Sequence, residues 1–171
     1  QNAPTDPNGG EIELNDKPTV STSPSADGVL TTKEINKKVA PSIVGILTYV
    51  QQGQSYVPYS VGSGIILSED GYISTNAHVI SDAASVEVTL YNGDKYEAQI
   101  VGADDKTDLA VLKINENNLI PAEFGNSDQV EVGELAVVIG NPAATGLGPG
   151  STLTQGVISA LARSIKTNTG A

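Results

Sequence analysis

Two residue types in this chain could together move a proton at neutral pH. His78 is the only histidine in the 171 residues, and Asp108 follows it 30 positions later. Imidazole is suited to general base catalysis because its ordinary pKa lies near neutrality. A carboxylate bonded to the ring can fix its tautomer and stabilise the imidazolium, so such a pair could activate a hydroxyl nucleophile.

Residue types alone also allow plainer interpretations of both positions. A single histidine is more often a surface or core residue than a base, and an aspartate before a strand is often a turn residue. A metal site is favoured even less, since His78 with Asp104 and Asp105 lacks the usual number and spacing of ligands. We therefore predict neither a metal nor a cofactor.

The composition is that of a globular protein with an aliphatic core. Hydrophobic residues make up 39% of the chain and aromatic residues only 4%, while 18 glycines and nine prolines favour short strands and turns. A net charge of −11 argues against nucleic acid or an anionic membrane as a partner. Cysteine and methionine are both absent, which excludes disulfides and predicts a processed or trimmed polypeptide.

The order of patterns along the chain predicts a leader, a short helix and a barrel. Residues 1–30 are rich in small and polar residues and are expected to be a flexible linker. Thr31 and Glu34 fit a capping box, and the helix they begin should end before Pro41. About six strands follow between residues 42 and 114, with a loop at 51–59 and a type I′ turn at 92–93. A closed antiparallel barrel would pair all their edges.

A second set of strands begins after a polar connection and is short. Strand patterns occur at residues 135–140 and 152–161, and two strands cannot close a barrel. We therefore predict an all-β chain with three parts: a leader over 1–30, a short helix and complete first barrel over 31–118, and an inter-barrel connection with an incomplete second barrel over 119–171.

Several segments resemble, in order, the HtrA/Deg family of trypsin-like serine proteases. The similarity spans residues 40–164 and is carried by Asp104 and by segments 62–66, 70–79, 86–90, 92–93, 107–114, 125–128, 132–134, 139–142 and 154–161. The resemblance implies a chymotrypsin-like double β-barrel with its active site in the cleft between the barrels. It also implies that His78 is the catalytic base and Asp108 the catalytic acid of a Ser-His-Asp triad.

The resemblance places the nucleophile beyond this chain. In the family the serine lies in a Gly-Asn-Ser-Gly-Gly motif some tens of residues after the segment similar to 156–161, and the chain ends at Ala171. Three serines in glycine-containing contexts are set aside as nucleophiles. Ser63 precedes the histidine, and Ser127 is followed by Asp128 where the motif needs glycine. Ser151 sits in a glycine-rich loop, where it is expected to be part of a turn.

The resemblance implies a serine endopeptidase acting on misfolded envelope proteins, with this chain inactive by itself. The expected partners are polypeptide substrates, a companion C-terminal fragment that completes the second barrel, and further copies forming a homotrimer. The expected location is extracytoplasmic, in the cell envelope, either membrane-anchored or secreted. The alternatives are an inert protease-like module that binds peptides by strand addition, and a trimmed polypeptide with no function of its own.

Overall fold

A computed structural model describes residues 30–141 and 151–162. The chain divides into two compact units, Gln1–Thr31 and Thr32–Ala171, and every helix and strand below lies in the second. The predicted leader and the C-terminal tail fall largely outside the described residues. In chain order the elements are α1 (Thr32–Val39), a 3₁₀ turn (Ala40–Ser42), β1 (Ile43–Gln52), β2 (Ser55–Ile66), β3 (Tyr72–Thr75), α2 (Ala77–Ile80), β4 (Ser85–Thr89), β5 (Lys95–Asp104), β6 (Leu109–Lys113), a second 3₁₀ turn (Ser127–Gln129), β7 (Leu135–Gly140) and β8 (Thr152–Val157).

Six antiparallel strands close into a barrel in the order β1-β2-β3-β6-β5-β4. Branched aliphatic side chains fill its interior, where they are fully or almost fully buried: Val44, Ile46, Ile66, Ile73, Val86, Val88, Leu112 and Ile114. Val86 and Val88, which alternate with Glu87 along β4, both point into this core. Closure leaves each of the six strands paired on both sides, which removes the exposed edges that favour aggregation.

The first hairpin is longer than the sequence predicted. The loop expected at residues 51–59 is wrong, because β2 begins at Ser55 and only residues 53 and 54 join it to β1. Polar residues and a proline interrupt the alternating hydrophobicity that would identify this segment as a strand. Its outer half is exposed to solvent, so burial places no demand on the side chains there.

A bulge explains how Pro58 fits within β2. Leu47 pairs with Val61 but Tyr49 pairs with Pro58, so β2 holds one extra residue at this point. The Thr48 hydroxyl occupies the gap in the ladder by accepting from the Ser60 backbone N–H at 3.0 Å and donating to the Ser60 carbonyl. Proline is tolerated at such positions because the regular ladder is already interrupted.

The hairpin between β4 and β5 is confirmed, but its predicted turn type is wrong. A type I′ turn needs positive φ at both central residues, and of the pair at 92–93 only Gly93 has one, at 95°. Leu90 N–H instead donates to Asp94 O at 2.8 Å across a three-residue loop. Asn92 stabilises this loop by accepting from the backbone N–H of Asp94, so the glycine takes the left-handed position of a bulged turn.

A two-stranded sheet of β7 and β8 follows the barrel, as predicted for an incomplete second barrel. Asn141, at the end of β7, is buried, and its backbone N–H donates to Ser63 Oγ on β2 at 3.0 Å. Its side-chain amide donates to the Ile43 carbonyl at 3.2 Å. Helix α1 adds contacts to β8, since Thr32 Oγ1 donates to Gln155 Oε1 at 2.6 Å. The second sheet is therefore fixed to the barrel by buried and peripheral hydrogen bonds.

Within residues 30–141 and 151–162, no helix has both the length and the apolar character required to cross a membrane.

Replacing Thr89 by valine is expected to stabilise the barrel by about 1 kcal/mol. Thr89 is 3% exposed, and its hydroxyl has no hydrogen-bond partner. An unpaired buried hydroxyl costs free energy that a methyl group of similar shape does not. Urea unfolding followed by circular dichroism measures the change.

Thr48→Val is the matched control for this prediction, because Thr48 is also buried but its hydroxyl bonds Ser60. This control should lose about 1–3 kcal/mol, since it leaves the backbone of Ser60 unsatisfied. Equal destabilisation by both substitutions would show that the Thr89 hydroxyl does have a partner.

Candidate active site

His78 is presented to solvent by a short helix whose other residues are buried. The strand β3 ends at Thr75, Asn76 follows, and α2 then carries Ala77, Val79 and Ile80 into the core. The imidazole points away from that core, with its side chain 61% exposed. This alternation of buried and exposed residues anchors the backbone around His78 while leaving the ring accessible.

A glycine on the neighbouring strand allows α2 to lie against the barrel. A Cβ at Gly62 would stand 2.8 Å from both methyl groups of Val79. A side chain at this position would force the Val79 side chain to shift. Because Gly62 has no side chain, Val79 can pack against β2 next to His78.

Asp108 lies in the turn between β5 and β6, immediately before β6 begins at Leu109. Its φ of 55° places it in the left-handed region, which aspartate tolerates better than most residues. Its carbonyl accepts from the backbone N–H of Ala77 at 3.2 Å. The turn that carries Asp108 is therefore joined directly to the helix that carries His78.

Asp104 is the last residue of β5, and its side chain stabilises the turn that follows. Its carboxylate accepts from Lys106 N–H at 3.1 Å and from Thr107 Oγ1 at 2.7 Å. The Thr107 hydroxyl, followed by the Lys106 backbone N–H, holds the pKa of Asp104 below its ordinary value. These bonds give the loop before Asp108 a defined shape.

The two sequence-predicted residues lie within hydrogen-bonding distance of each other. His78 Nδ1 is 2.8 Å from Asp108 Oδ2 and 3.0 Å from Oδ1. The backbone N–H of His78 also donates to Oδ1, at 2.9 Å. Because an ionised carboxylate only accepts, Nδ1 must carry the proton in this arrangement, which leaves Nε2 of the neutral ring free to accept one.

These contacts lower the pKa of the Asp108 carboxyl below its ordinary value of 3.8. The largest cause is the bond from the His78 backbone N–H, followed by the bond from the imidazole, while partial burial acts in the opposite direction. Hydrogen bonds to the charged form favour ionisation. The carboxylate is therefore charged at neutral pH, as an acceptor for imidazole must be.

The three serines that the sequence analysis set aside make other contacts. Ser63 Oγ accepts from Asn141, Ser151 Oγ donates to Asn36 Oδ1 at 3.0 Å, and Ser127 begins a 3₁₀ turn. Ser63 and Ser151 therefore link parts of the fold, and Ser127 belongs to the connection between the two sheets.

Asn76, two residues before His78, contacts Asp108 and was not among the predicted site residues. Its side-chain nitrogen is 3.1 Å from Asp108 Oδ2 and 3.3 Å from the Asp108 carbonyl. An asparagine directly before a short helix is typical of a helix cap, so no local signal connects it to a residue 32 positions away.

In the part of the chain that the structure describes, no three His, Cys, Asp or Glu side chains cluster as they would around a metal ion.

Comparison with known proteins identifies the family. Residues 62–171, more than half of the chain, match the model of the trypsin-like peptidase domain. The chain belongs to this family. Within it the relatives are of the HtrA/Deg type, so the family predicted from the sequence is confirmed, and so is the all-β class with one closed barrel and a partial second sheet.

Curated relatives are about half identical to this HtrA/Deg chain. A probable periplasmic serine endoprotease DegP-like of Chlamydia muridarum is 53% identical over 102 residues, which cover 60% of this chain and 20% of that protein. A putative serine protease HhoB of Synechocystis is 50% identical over 103 residues, covering 60% and 24%. The DegP-like protein of Halomonas elongata is 45% identical over 114 residues, covering 67% and 23%. This chain therefore spans about a fifth to a quarter of these relatives.

A solved structure supports the same assignment. A variant of the HtrA-type protease AlgW with a tripeptide superimposes with a TM-score of 0.68 at 36% sequence identity. The match covers 79% of this chain and 42% of that one. The similarity thus extends over most of the HtrA/Deg chain described here, including more than the barrel alone.

Proposed function

We propose that this chain supplies the general base and the orienting carboxylate of a serine endopeptidase. His78 would accept the proton of a serine hydroxyl as that oxygen attacks a peptide carbonyl, and would later return it to the leaving amine. Asp108 would hold the ring in the required tautomer and stabilise the imidazolium. The observation that carries the proposal is the 2.8 Å distance between His78 Nδ1 and Asp108 Oδ2.

The geometry around the ring fits this role in two further ways. Nε2 is the nitrogen not engaged by Asp108, and the imidazole is 61% exposed, so a hydroxyl from another segment can reach it. The pKa of Asp108 is lowered, so its charge persists at the pH where a neutral imidazole works as a base.

The nucleophile is proposed to lie after Ala171, on a segment that also completes the second barrel. None of Ser63, Ser127 and Ser151 is a good candidate, since two serve as links within the fold and the third lies in a connection. The exposed apolar residues of the second sheet, including Val138 at 68% exposure, are consistent with a face that further strands would cover. This chain alone would then be inactive.

Substrates and location are proposed from the relatives' names. Two of the three names given above describe probable periplasmic serine endoproteases, so we propose an extracytoplasmic protein that cleaves polypeptides. Misfolded envelope proteins are proposed among its substrates because the resemblance to the HtrA/Deg family implies them. The proposed partners are a C-terminal segment or companion fragment completing the second barrel, and further copies forming a homotrimer.

A fluorophosphonate probe tests the proposal, since it reacts only with an activated serine. The longer natural polypeptide should be labelled, peptide mapping should place the label after residue 171, and this chain by itself should remain unlabelled. Heat-denatured protein is the control for non-specific reaction. A longer polypeptide that folds but takes no label would contradict the proposal and favour an inert peptide-binding module.

A further inference from the structure

Asn76 stands at a helix-capping position but does not cap the helix. It is the N-cap residue of α2, with φ −80° and ψ 142°, and its side chain makes no capping hydrogen bond. Asparagine is favoured at such positions because its side-chain oxygen accepts from the first turn of the helix. Here the amide is turned instead toward Asp108, 32 residues away in sequence.

The Asn76 amide completes the hydrogen bonding of the Asp108 carboxylate. The backbone N–H of His78 holds Oδ1 at 2.9 Å, and Asn76 Nδ2 holds Oδ2 at 3.1 Å. With a separate donor on each oxygen, the carboxylate cannot rotate about its Cβ–Cγ bond without breaking one of the two bonds. These two donors, one on each oxygen, therefore fix the orientation of the carboxylate plane toward the imidazole.

The same amide also contacts the backbone that carries the carboxylate. Asn76 Nδ2 lies 3.3 Å from the Asp108 carbonyl, which also accepts from Ala77 N–H at 3.2 Å. Asp108 is in the left-handed region, which costs free energy for a residue with a side chain. Two donors on one carbonyl stabilise this conformation, so Asn76 acts on both the turn and the side chain of Asp108.

We propose that Asn76 is a positioning residue for the His78–Asp108 pair, whose amide orients the carboxylate at the expense of capping α2. Its effect on catalysis rests on the proposed function, because only a working peptidase uses the orientation. Its effect on the imidazole ring is independent of the proposed function, because the hydrogen bond between His78 Nδ1 and Asp108 is present in this chain.

Asparagine-to-aspartate and asparagine-to-alanine substitutions separate positioning from simple helix stability. Aspartate caps helices as well as asparagine does, so Asn76→Asp should leave α2 intact or more stable if capping were the role. It replaces the donor by a second carboxylate facing Asp108 Oδ2, so it should disturb the pair at least as much as Asn76→Ala if positioning is the role.

The single histidine makes the ring directly observable. After ¹⁵N-histidine labelling, the two ring nitrogens of His78 give one set of NMR signals that report which nitrogen carries the proton in the neutral ring. In the parent chain we expect the Nδ1–H form to predominate. In both variants we expect the ratio to shift toward a mixture, and the pKa of Asp108, followed by its carboxyl ¹³C shift, to rise because a donor is lost.

Asn92→Ala is the matched control. Asn92 Nδ2 donates to the Asp94 carboxylate at 2.6 Å in the turn between β4 and β5. This substitution removes an exposed asparagine–aspartate bond of the same chemistry at another place, and should leave the His78 signals unchanged. Urea unfolding of every variant separates a loss of fold from a loss of orientation.

In the longer natural polypeptide, both Asn76 variants should lower kcat roughly 10- to 100-fold with little change in KM, because misorientation affects the transition state more than substrate binding. Unchanged ring signals and an unchanged Asp108 titration in folded Asn76→Asp would overturn the proposal. A longer polypeptide without any peptidase activity would overturn the proposed function instead, and the ring signals would still decide the role of Asn76.

Discussion

Asp108→Asn is expected to lower kcat of the proposed longer polypeptide by about 10⁴-fold. The asparagine amide can donate where the carboxylate only accepts, so the bond to the ring can form with Nδ1 as the acceptor. The neutral ring would then carry its proton on Nε2, the nitrogen proposed to accept the proton of the serine. We therefore expect activity to fall because the ring adopts the wrong tautomer, while the fold stays intact.

Asparagine is also the substitution that leaves the backbone least disturbed, because it tolerates the left-handed region that Asp108 occupies. Asp105→Asn, at an exposed position in the same turn, is the control for the change in charge. Peptidase assays and ¹⁵N signals of His78 in this chain measure the two effects. An Asp108→Asn enzyme within tenfold of the parent would contradict the assigned role of the carboxylate.

The same substitution predicts a change in acid stability whose sign follows from the pKa. The folded-state pKa of Asp108 lies below its ordinary value of 3.8. Its contribution to stability is complete above the unfolded-state pKa and is lost as the pH falls through the folded-state pKa. Asparagine does not titrate in this range. The difference in free energy of unfolding between the parent chain and the Asp108→Asn variant should therefore become smaller as the pH falls.

Gly71→Ala is expected to destabilise the chain by about 3–4 kcal/mol, from backbone strain and overpacking together. Gly71 has a φ of 102°, which a residue with a side chain rarely adopts. An added Cβ would lie 2.5 Å from the Ile114 carbonyl, and the Ile114 N–H donates to the Gly71 carbonyl at 3.0 Å. The clash is with backbone, so it cannot be relieved by a change of rotamer.

Gly53→Ala separates these two contributions. Gly53 has a φ of 63° in the turn between β1 and β2, but nothing lies within 4 Å of an added Cβ. Its substitution should cost only about 1 kcal/mol, the cost of the strained backbone. Urea unfolding of the two variants, side by side, gives the comparison. Equal losses would mean that the turn at Gly71 relaxes and that steric contact with Ile114 contributes nothing.

Sequence patterns were enough to predict the barrel and to choose the two residues of the candidate pair. Alternating aliphatic residues such as Val86 and Val88 predict a buried face, and each segment of the family pattern has a fixed place along the chain. These signals are local or depend on the order of segments along the chain, so they can be read from the sequence. The distance between His78 Nδ1 and Asp108 Oδ2, 2.8 Å, is known only from the structure.

The features that were missed depend on contacts between distant residues or on solvent exposure. The bulged outer half of β2 is exposed and polar, so its strand pattern is absent although Thr48 still pairs with Ser60. Asn76 reads locally as a cap, and its actual partner is known only once β3 and β6 are paired. Ser63 likewise gains its role from Asn141, 78 residues later.

The closed ring of six strands has a consequence for hydrogen exchange. Amides within the barrel should exchange only when the whole ring opens, whereas those of the β7–β8 hairpin, paired along one ladder, should exchange through local opening. The Ala77 N–H lies outside the strands but donates to the Asp108 carbonyl, and it is also expected to exchange slowly because Ala77 is buried. The His78–Asp108 pair would then keep its geometry while the β7–β8 sheet opens locally. A site formed by this pair and the second sheet would therefore re-form without rebuilding the pair.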